Sequence, residues 1–243
     1  MNIESNIGMS TSAGQRADNQ DATCIDVAPT VAVLAVADGA GGQPDGQRAA
    51  SLAVNGIRSR LRQQVDPLDA LLGLDLWLSP VLRNHPRLHP DAATAVAVAV
   101  IRHGRLYATN IGDCRVTLTD AGGTMRAATT DGDGITRWLR QRHAAQPTAV
   151  APAAAGSQLL ARVPSLGAAR PTVLVHDLTP GDRIILTSDG VHDTLAPEHL
   201  ALEATCTDAQ VAAGRITAAA VARGSRDNVT AIIATYNPLR ERG

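Results

Sequence analysis

Three acidic residues stand next to apolar segments that have the character of buried strands. Asp38 and Asp189 directly follow two such segments, and Asp227 precedes a third with one residue between. A carboxylate at the end of a buried strand loses its hydration unless another group compensates for it. Several such carboxylates with oxygen-rich neighbours suit a hard cation. The pattern therefore predicts a site for one or two divalent cations.

Histidines offer a competing metal signal, which we consider weaker. His85 and His89 are four residues apart, but Pro86 and Pro90 break any helix that would align them. A plain loop is therefore favoured over a zinc pair. His192 lies close to Asp189 and Asp193, and we interpret it as a solvated or supporting side chain rather than a ligand.

The acidic residues need strands and turns to bring them together. His103-Gly104 and Ala121-Gly-Gly123 are typical of hairpin turns, so three successive hairpins from Ala93 to Thr129 predict an antiparallel meander. Short β-branched segments between turns predict the strands. These are Ile3–Thr11, Ala22–Val27, Val31–Ala37, Ala93–Ile101, Arg105–Asn110, Arg115–Thr119, Thr124–Thr129, Thr172–Asp177, Arg183–Ser188 and Thr230–Tyr236.

Helices interrupt the strands at two places, and the third predicted helix lies near the C-terminus, before the last predicted strand. Apolar residues at helical spacing predict helices over Gln47–Val65, Pro67–Leu82 and Asp208–Arg223. The segment 131–170 has little periodicity beyond a short helix at Asp133–His143, and we interpret it as a surface excursion rather than a linker. The prediction is one α+β domain of 243 residues, with mostly antiparallel sheet and helices packed outside.

The composition argues against several classes of function. The net charge is −1, and aromatic residues make up 2%, which indicates neither a nucleic-acid surface nor a base-stacking platform. No apolar segment reaches the roughly 18 residues of a membrane span, and the N-terminus lacks a signal-peptide pattern. Cys24, Cys114 and Cys206 are too widely spaced for a zinc ribbon or a disulfide framework. We expect a cytoplasmic protein, with a monomer as the default.

Six short motifs carry the residues that could do chemistry. Each motif alone can be explained without a functional role. Arg16 could form a surface ion pair, and the glycines after Asp38 could form a simple turn. Together and in this order they resemble the metal-dependent serine/threonine protein phosphatases, the type 2C or PPM family, in its compact bacterial form. The motifs are Arg16-Ala-Asp-Asn-Gln-Asp21, Ala37-Asp-Gly-Ala-Gly-Gly42, Ala93-Thr-Ala95, Asn110-Ile-Gly-Asp-Cys-Arg115, Thr187-Ser-Asp-Gly-Val-His-Asp193 and Ser225-Arg-Asp-Asn-Val-Thr230.

This resemblance implies both a fold and a metal site. The fold is a four-layer α-β-β-α sandwich, with two packed antiparallel sheets and helices on both outer faces. The site holds two Mn²⁺ or Mg²⁺ ions, which all-oxygen ligation suits. By resemblance, Asp38 bridges both ions, the carbonyl of Gly39 binds one, and Asp189 and Asp227 complete the ligand set with waters.

Other residues are implied to support the metals and the substrate. Arg16 would grip phosphate oxygens, which a guanidinium fork matches. Asp113, with Asp193 or Asp189, matches the position of a third and weaker ion in bacterial relatives. Asp21 would act through a water, and Asn228 would orient the adjacent carboxylate or a water.

The chain departs from the family pattern at three positions. Gln20 stands where many members have Glu, which should weaken metal binding somewhat. Ala40 stands where some eukaryotic members have a His proposed as general acid, and Cys114 replaces a Ser. The excursion at 131–170 corresponds to the flap beside the family's active site, for which gating of the substrate is a hypothesis.

The implied activity is hydrolysis of phosphoserine and phosphothreonine in proteins, by in-line attack of an activated water. Expected partners are phosphorylated proteins, the substrates of a cognate serine/threonine kinase. One alternative is a catalytically weak member of the same fold that acts as a regulatory or binding module. A structural or Ca²⁺-binding protein is less favoured, because Ca²⁺ sites usually cluster their ligands in one loop.

Overall fold

The computed structural model describes residues 6–40, 45–63, 65–131 and 171–237, and ten strands lie in these ranges. They are β1 (Asn6–Ser12), β2 (Asp21–Ala28), β3 (Val31–Gly39), β4 (Thr94–Arg102), β5 (Arg105–Ile111), β6 (Arg115–Thr119), β7 (Met125–Ala128), β8 (Leu174–Asp177), β9 (Arg183–Thr187) and β10 (Val229–Thr235). Sheet I has the order β2-β3-β4-β5-β8, and sheet II has the order β1-β10-β9-β6-β7. Every pairing in both sheets is antiparallel.

Helices cover the outer face of each sheet. They are α1 (Gly46–Leu61), α2 (Pro67–Leu72), α3 (Leu74–Arg83), α4 (Asp189–His192), α5 (Pro197–Glu203) and α6 (Ala209–Ala222). The first three pack on sheet I and the last three on sheet II. This arrangement confirms the predicted α+β sandwich of four layers. No helix in the described ranges is long and apolar enough to cross a membrane.

The core between the sheets is largely aliphatic, since the chain contains no Phe, and Tyr236 adds one buried aromatic ring. Leu34 and Val36 of sheet I meet Ile184, Leu186 and Ile232 of sheet II, and all five are fully buried. β3 is buried on both faces, since the helices cover its other side. Its sequence is therefore an unbroken apolar run that leads directly into the acidic residue at its end.

The predicted meander is wrong at its middle turn. β4 and β5 form one hairpin and β6 and β7 another, but β5 and β6 lie in different sheets. Between them the side-chain amide of Asn110 donates to the carbonyl of Cys114 at 2.9 Å, and Gly112 has a φ of 90°. This tight corner sends the chain across the sandwich. The turn residues resemble those of a hairpin, and only the packing decides which sheet the next strand enters.

The helix predicted over Pro67–Leu82 is divided into α2 and α3. Gly73 ends α2 by donating its N–H to the carbonyl of Asp69, and its own carbonyl accepts from Trp77 to start α3. The weak helix propensity of glycine permits the break at this position. The short helices α4 and α5 were not predicted. The helix at Asp133–His143 and nearly all of the excursion at 131–170 lie outside the described residues.

Candidate metal and phosphate site

The three carboxylates predicted as metal ligands lie at one end of the sandwich. β9 ends at Thr187 and Asp189 opens α4, while Asp227 lies just before β10, the antiparallel neighbour of β9. The end of one strand and the start of the other are therefore adjacent. β3 of the other sheet contacts both strands and brings Asp38 next to Asp189. Asp38 and Asp227 therefore each lie near Asp189, although the sequence separates the three widely.

Asp21, Asp38 and Asp189 form the buried centre of this site. Asp21 and Asp38 are paired across β2 and β3, and Asp38 is within hydrogen-bonding reach of both other carboxyl groups. Burial, reinforced by neighbouring negative charges, raises the pKa of Asp21 from 3.8 to about 6 and that of Asp189 to about 7. The pKa of Asp38 is also raised, first by burial and then by the charges of Asp21 and Asp189. Such a cluster has a strong preference for a positive ligand.

Ser188 holds Asp21 in place, and the sequence analysis missed this residue. Its hydroxyl donates to Asp21 Oδ2 at 2.9 Å and accepts from the backbone N–H of Thr230 at 3.0 Å. One buried hydroxyl therefore links β2 of sheet I to β10 of sheet II beside the carboxylates. The signal was present in the Thr-Ser-Asp-Gly motif, where Ser directly precedes an acidic residue at a strand end.

Arg16 lies at the exposed margin of the acidic cluster. Its Nη2 donates to Asp227 Oδ2 at 2.7 Å, and its Nε donates to the carbonyl of Arg226 at 3.2 Å. The side chain is 45% exposed, so the ion pair itself adds little to stability. These two contacts instead fix the plane of the guanidinium group beside the carboxylates.

Asn228 joins the loop that carries Arg16 to the start of β10. Its Nδ2 donates to the carbonyls of Ala13 and Asp18 at 3.0 and 2.9 Å, and its Oδ1 accepts from the N–H of Gln20 at 2.8 Å. Only its backbone N–H contacts Asp227, at Oδ1. The side chain is therefore committed to the loop, and it sets the distance between that loop and the acidic cluster.

Replacement of Asn228 by Ala should lower the free energy of unfolding by about 2–4 kcal/mol, because three hydrogen bonds of a buried amide are lost together. Urea denaturation monitored by circular dichroism would measure this change. Asn55→Ala on the exposed face of α1 is the matched control and should leave stability nearly unchanged. Equal midpoints for both variants would contradict the structural role of Asn228.

Two glycines allow the backbone to approach the site closely. Gly14 has a φ of 60°, and a Cβ there would lie 2.1 Å from the carbonyl oxygen of Asp227. A Cβ on Gly39 would lie 2.4 Å from the carbonyl of Gly46 at the start of α1. The N–H of Gly39 donates to the carbonyl of Gln20 at 3.2 Å. Close packing alone therefore accounts for Gly39, apart from any role of its carbonyl in metal binding.

Asp113 lies beside the centre of the site, near a second acidic group. Burial raises its pKa, and the charges of Asp131 and Asp193 add to this effect. Asp131 accepts two hydrogen bonds from Arg115, both at 2.6 Å. The sequence analysis placed Asp113 and Asp193 here but missed Asp131 and Arg115, which enclose the corner between β5 and β6.

The donor chemistry of the site fits a hard divalent cation. Asp21 Oδ1 and Asp189 Oδ1 are buried and have no hydrogen-bond partner among the described residues. A cation would satisfy both atoms, which are costly to leave unpaired. No three His, Cys, Asp or Glu side chains in the described ranges already enclose a metal position. The carboxyl groups face one another instead, so the fit rests on donor type and burial.

Sheets packed between helices, with buried carboxylates at the strand ends and an arginine beside them, are features of metal-dependent phosphatases. The family model described as Protein phosphatase 2C matches residues 10–223. This chain belongs to that family, and the resemblance found in the sequence motifs is confirmed.

A curated relative supports this assignment. "Protein kinase and PP2C-like domain-containing protein" of Oryza sativa subsp. japonica is 26% identical over 213 residues. The match covers 77% of this chain and 32% of that protein, so the chain spans about a third of this curated relative.

Solved structures share the fold. The serine/threonine phosphatase PstP/Ppp of Mycobacterium tuberculosis has a TM-score of 0.70 at 23% identity, covering 97% of this chain and 100% of that one. The catalytic domain of PstP was also solved in complex with 2 manganese ions. MsPP of Mycobacterium smegmatis, solved with cacodylate, has a TM-score of 0.71 at 24% identity and covers 98% of this chain and 100% of that chain.

Proposed function

We propose that this chain hydrolyses phosphoserine and phosphothreonine in proteins, with two Mn²⁺ or Mg²⁺ ions held by Asp38, the carbonyl of Gly39, Asp189 and Asp227. The observation that best supports this proposal is that buried carboxyl groups from both sheets lie together beside an arginine whose orientation is fixed by hydrogen bonds. Membership of the Protein phosphatase 2C family supports the reaction class. The manganese ions in PstP support the choice of metal.

We propose a different role in cation binding for each acidic residue. Asp38 lies between Asp21 and Asp189, which suits a ligand shared by two ions. Asp21 is held by Ser188, and one of its oxygens remains without a partner, so it can bind a water of the cluster. Bound divalent cations would lower the pKa of a water and neutralise phosphate charge. Asp113, with Asp193, would hold a third and weaker ion.

Arg16 is the proposed phosphate contact. Its guanidinium group is held by Asp227 and by a backbone carbonyl, and it is exposed enough to meet a substrate. A planar fork of N–H donors matches two phosphate oxygens. Because the group is already oriented, it can stabilise negative charge on the equatorial oxygens without rearrangement.

The proposed reaction also implies which proteins are the substrates. A phosphoprotein phosphatase opposes kinases, so we propose that its substrates are proteins phosphorylated by a serine/threonine kinase. The direct test uses p-nitrophenyl phosphate and a phosphothreonine peptide, with Mn²⁺ or with a chelator. Turnover of both that requires Mn²⁺ is the expected result. Absence of metal-dependent turnover would overturn the proposed function.

Metal binding should also be visible without catalysis. Mn²⁺ at about 100 times its dissociation constant should stabilise the folded chain by about 2.7 kcal/mol and raise Tm by about 5–10 °C. The physical reason is relief of repulsion among buried carboxylates by a ligand absent from the unfolded state. Differential scanning fluorimetry would measure the shift. Asp177→Asn, at an exposed carboxylate on β8, should keep the shift, and loss of the shift there would contradict the assigned site.

A further inference from the structure

Strand β2 leaves the proposed site and forms one edge of sheet I. Its first residue, Asp21, belongs to the carboxylate cluster, and the strand runs away from it for eight residues. All eight pair with β3 in one continuous register, without a bulge. Among the described residues, the backbone of 22–28 makes hydrogen bonds with β3 alone. Its other side is a regular row of backbone donors and acceptors.

Ile25 and Val27 are exposed on this edge although they face the interior side of the sheet. They pair with Leu34 and Ala32, two residues of the core between the sheets, and paired residues share a face. Ile25 is nevertheless 41% exposed and Val27 45% exposed. Within the described ranges the sandwich is therefore open along β2, and an added strand could cover these two side chains.

The other edge strands in the described ranges are short or covered. β7 and β8 have four residues each, and β7 has a register shift against β6. On β1, the side chain of Gln210 accepts from the N–H of Met9 at 3.1 Å and donates to its carbonyl at 2.8 Å. Long edges are normally protected by such devices, by Lys or by Pro. β2 contains neither Lys nor Pro, and its one charged residue outside the carboxylate cluster, Asp26, lies on the helix-covered face near Arg62, opposite to Ile25 and Val27.

We infer that β2 is a docking edge for the phosphoprotein substrate, whose extended segment adds to sheet I as a sixth strand. The inference rests on the proposed function. Main-chain hydrogen bonds would supply affinity, and apolar side chains at alternate positions would pack on Ile25 and Val27. The edge begins at the acidic cluster, so one continuous segment can reach both the edge and the site.

The geometry assigns the segment an orientation and a spacing. An antiparallel partner, like every other strand here, runs toward the site, so its residues precede the phosphorylated residue. From Asp21, Ile25 lies about 14 Å and Val27 about 20 Å along the strand, at about 3.4 Å per residue. We therefore expect substrate preference to depend on apolar residues four and six positions before the phosphorylated residue.

Two phosphothreonine peptides would test this edge, one with Val at both positions and one with Ser. The wild-type enzyme should prefer the Val peptide by about tenfold in kcat/KM, a factor that corresponds to about 1.4 kcal/mol. Ile25→Lys with Val27→Lys should abolish the preference, because edge lysines oppose strand addition. Val175→Lys on β8, the opposite edge of the same sheet, should keep it. Turnover of p-nitrophenyl phosphate should be unchanged in both variants.

A backbone probe separates strand addition from simple apolar contact. N-methylation of the Val peptide at the amide nitrogens of the two Val residues themselves should remove the preference. Ile25 and Val27 point their backbone groups away from β3, so these are the peptide donors that strand addition would use, and methylation keeps both side chains. A preference that survives methylation, or survives both lysines, would overturn the docking edge. So would a wild-type dimer in sedimentation that the lysines dissociate, because a second copy would then occupy β2.

Failure of the proposed function has a different signature. Wild-type protein would then hydrolyse neither p-nitrophenyl phosphate nor either peptide in Mn²⁺. Fluorescence anisotropy of the two labelled phosphopeptides would still test the edge by their Kd values. Tighter binding of the Val peptide that the lysines abolish would support docking, and equal Kd values would overturn it.

Discussion

Asp38→Asn is expected to reduce Mn²⁺-dependent kcat/KM on p-nitrophenyl phosphate by at least about a thousandfold. Loss of groups that merely orient a metal ligand typically costs 10–100-fold, and a ligand shared by two ions should matter more. Asp38 lies between Asp21 and Asp189 in the buried centre of the site. Steady-state kinetics over a range of Mn²⁺ concentrations would measure the loss.

The substitution should leave the fold intact. Asn has nearly the shape of Asp and carries no charge, so it relieves repulsion within the cluster rather than creating a cavity. Circular dichroism should therefore be unchanged for Asp38→Asn. Asp177→Asn serves as the control, because that side chain is 79% exposed on the edge strand β8, and it should keep full activity. Activity of Asp38→Asn within tenfold of wild type would refute the bridging role.

Arg16→Ala should lower kcat/KM for a phosphothreonine peptide by about a hundredfold, mainly through a higher KM, because a charged bidentate contact contributes about 1.5–3 kcal/mol. Arg16→Lys should recover only part of this loss, since an ammonium keeps the charge but not the planar fork. Comparison of KM and kcat for the three proteins would separate binding from the chemical step.

Arg226 provides a matched control for Arg16. The two residues touch through the carbonyl of Arg226, which Arg226→Ala retains. That variant removes one exposed positive charge beside the site but should leave KM within about twofold. An equal rise of KM in both variants would attribute the effect to local charge alone. It would contradict a specific phosphate contact by Arg16.

The strands were more predictable than their arrangement. Apolar segments such as Val31–Ala37 have the right length and β-branched content, so local propensity and burial agree there. The corner at Asn110–Arg115 was misread because its glycine and asparagine suit a hairpin equally well. The same limit applies to Gly73, whose effect on the helix depends on how Leu71 and Leu74 pack on either side of it.

The residues of the candidate site also divide into those that local sequence predicts and those that only tertiary contacts identify. Asp38, Asp189 and Asp227 were selected because charge beside a buried strand needs compensation, which is a local argument. Ser188 and Asp131 were missed, because a hydroxyl or a carboxylate acquires its role only from the partner it meets. For Ser188 that partner is Asp21, 167 positions away in the chain.

By itself, the sequence predicted the acidic residues proposed to carry the chemistry and most of the strands, because residue type and hydrophobic period act over a few positions. The tertiary structure alone decided that β2, β3, β9 and β10 bring their acidic ends together, that Asn228 holds the Arg16 loop, and that one edge of sheet I is open within the described ranges. These features depend on contacts between distant segments. Such contacts are set by the packing of two whole sheets rather than by any local pattern.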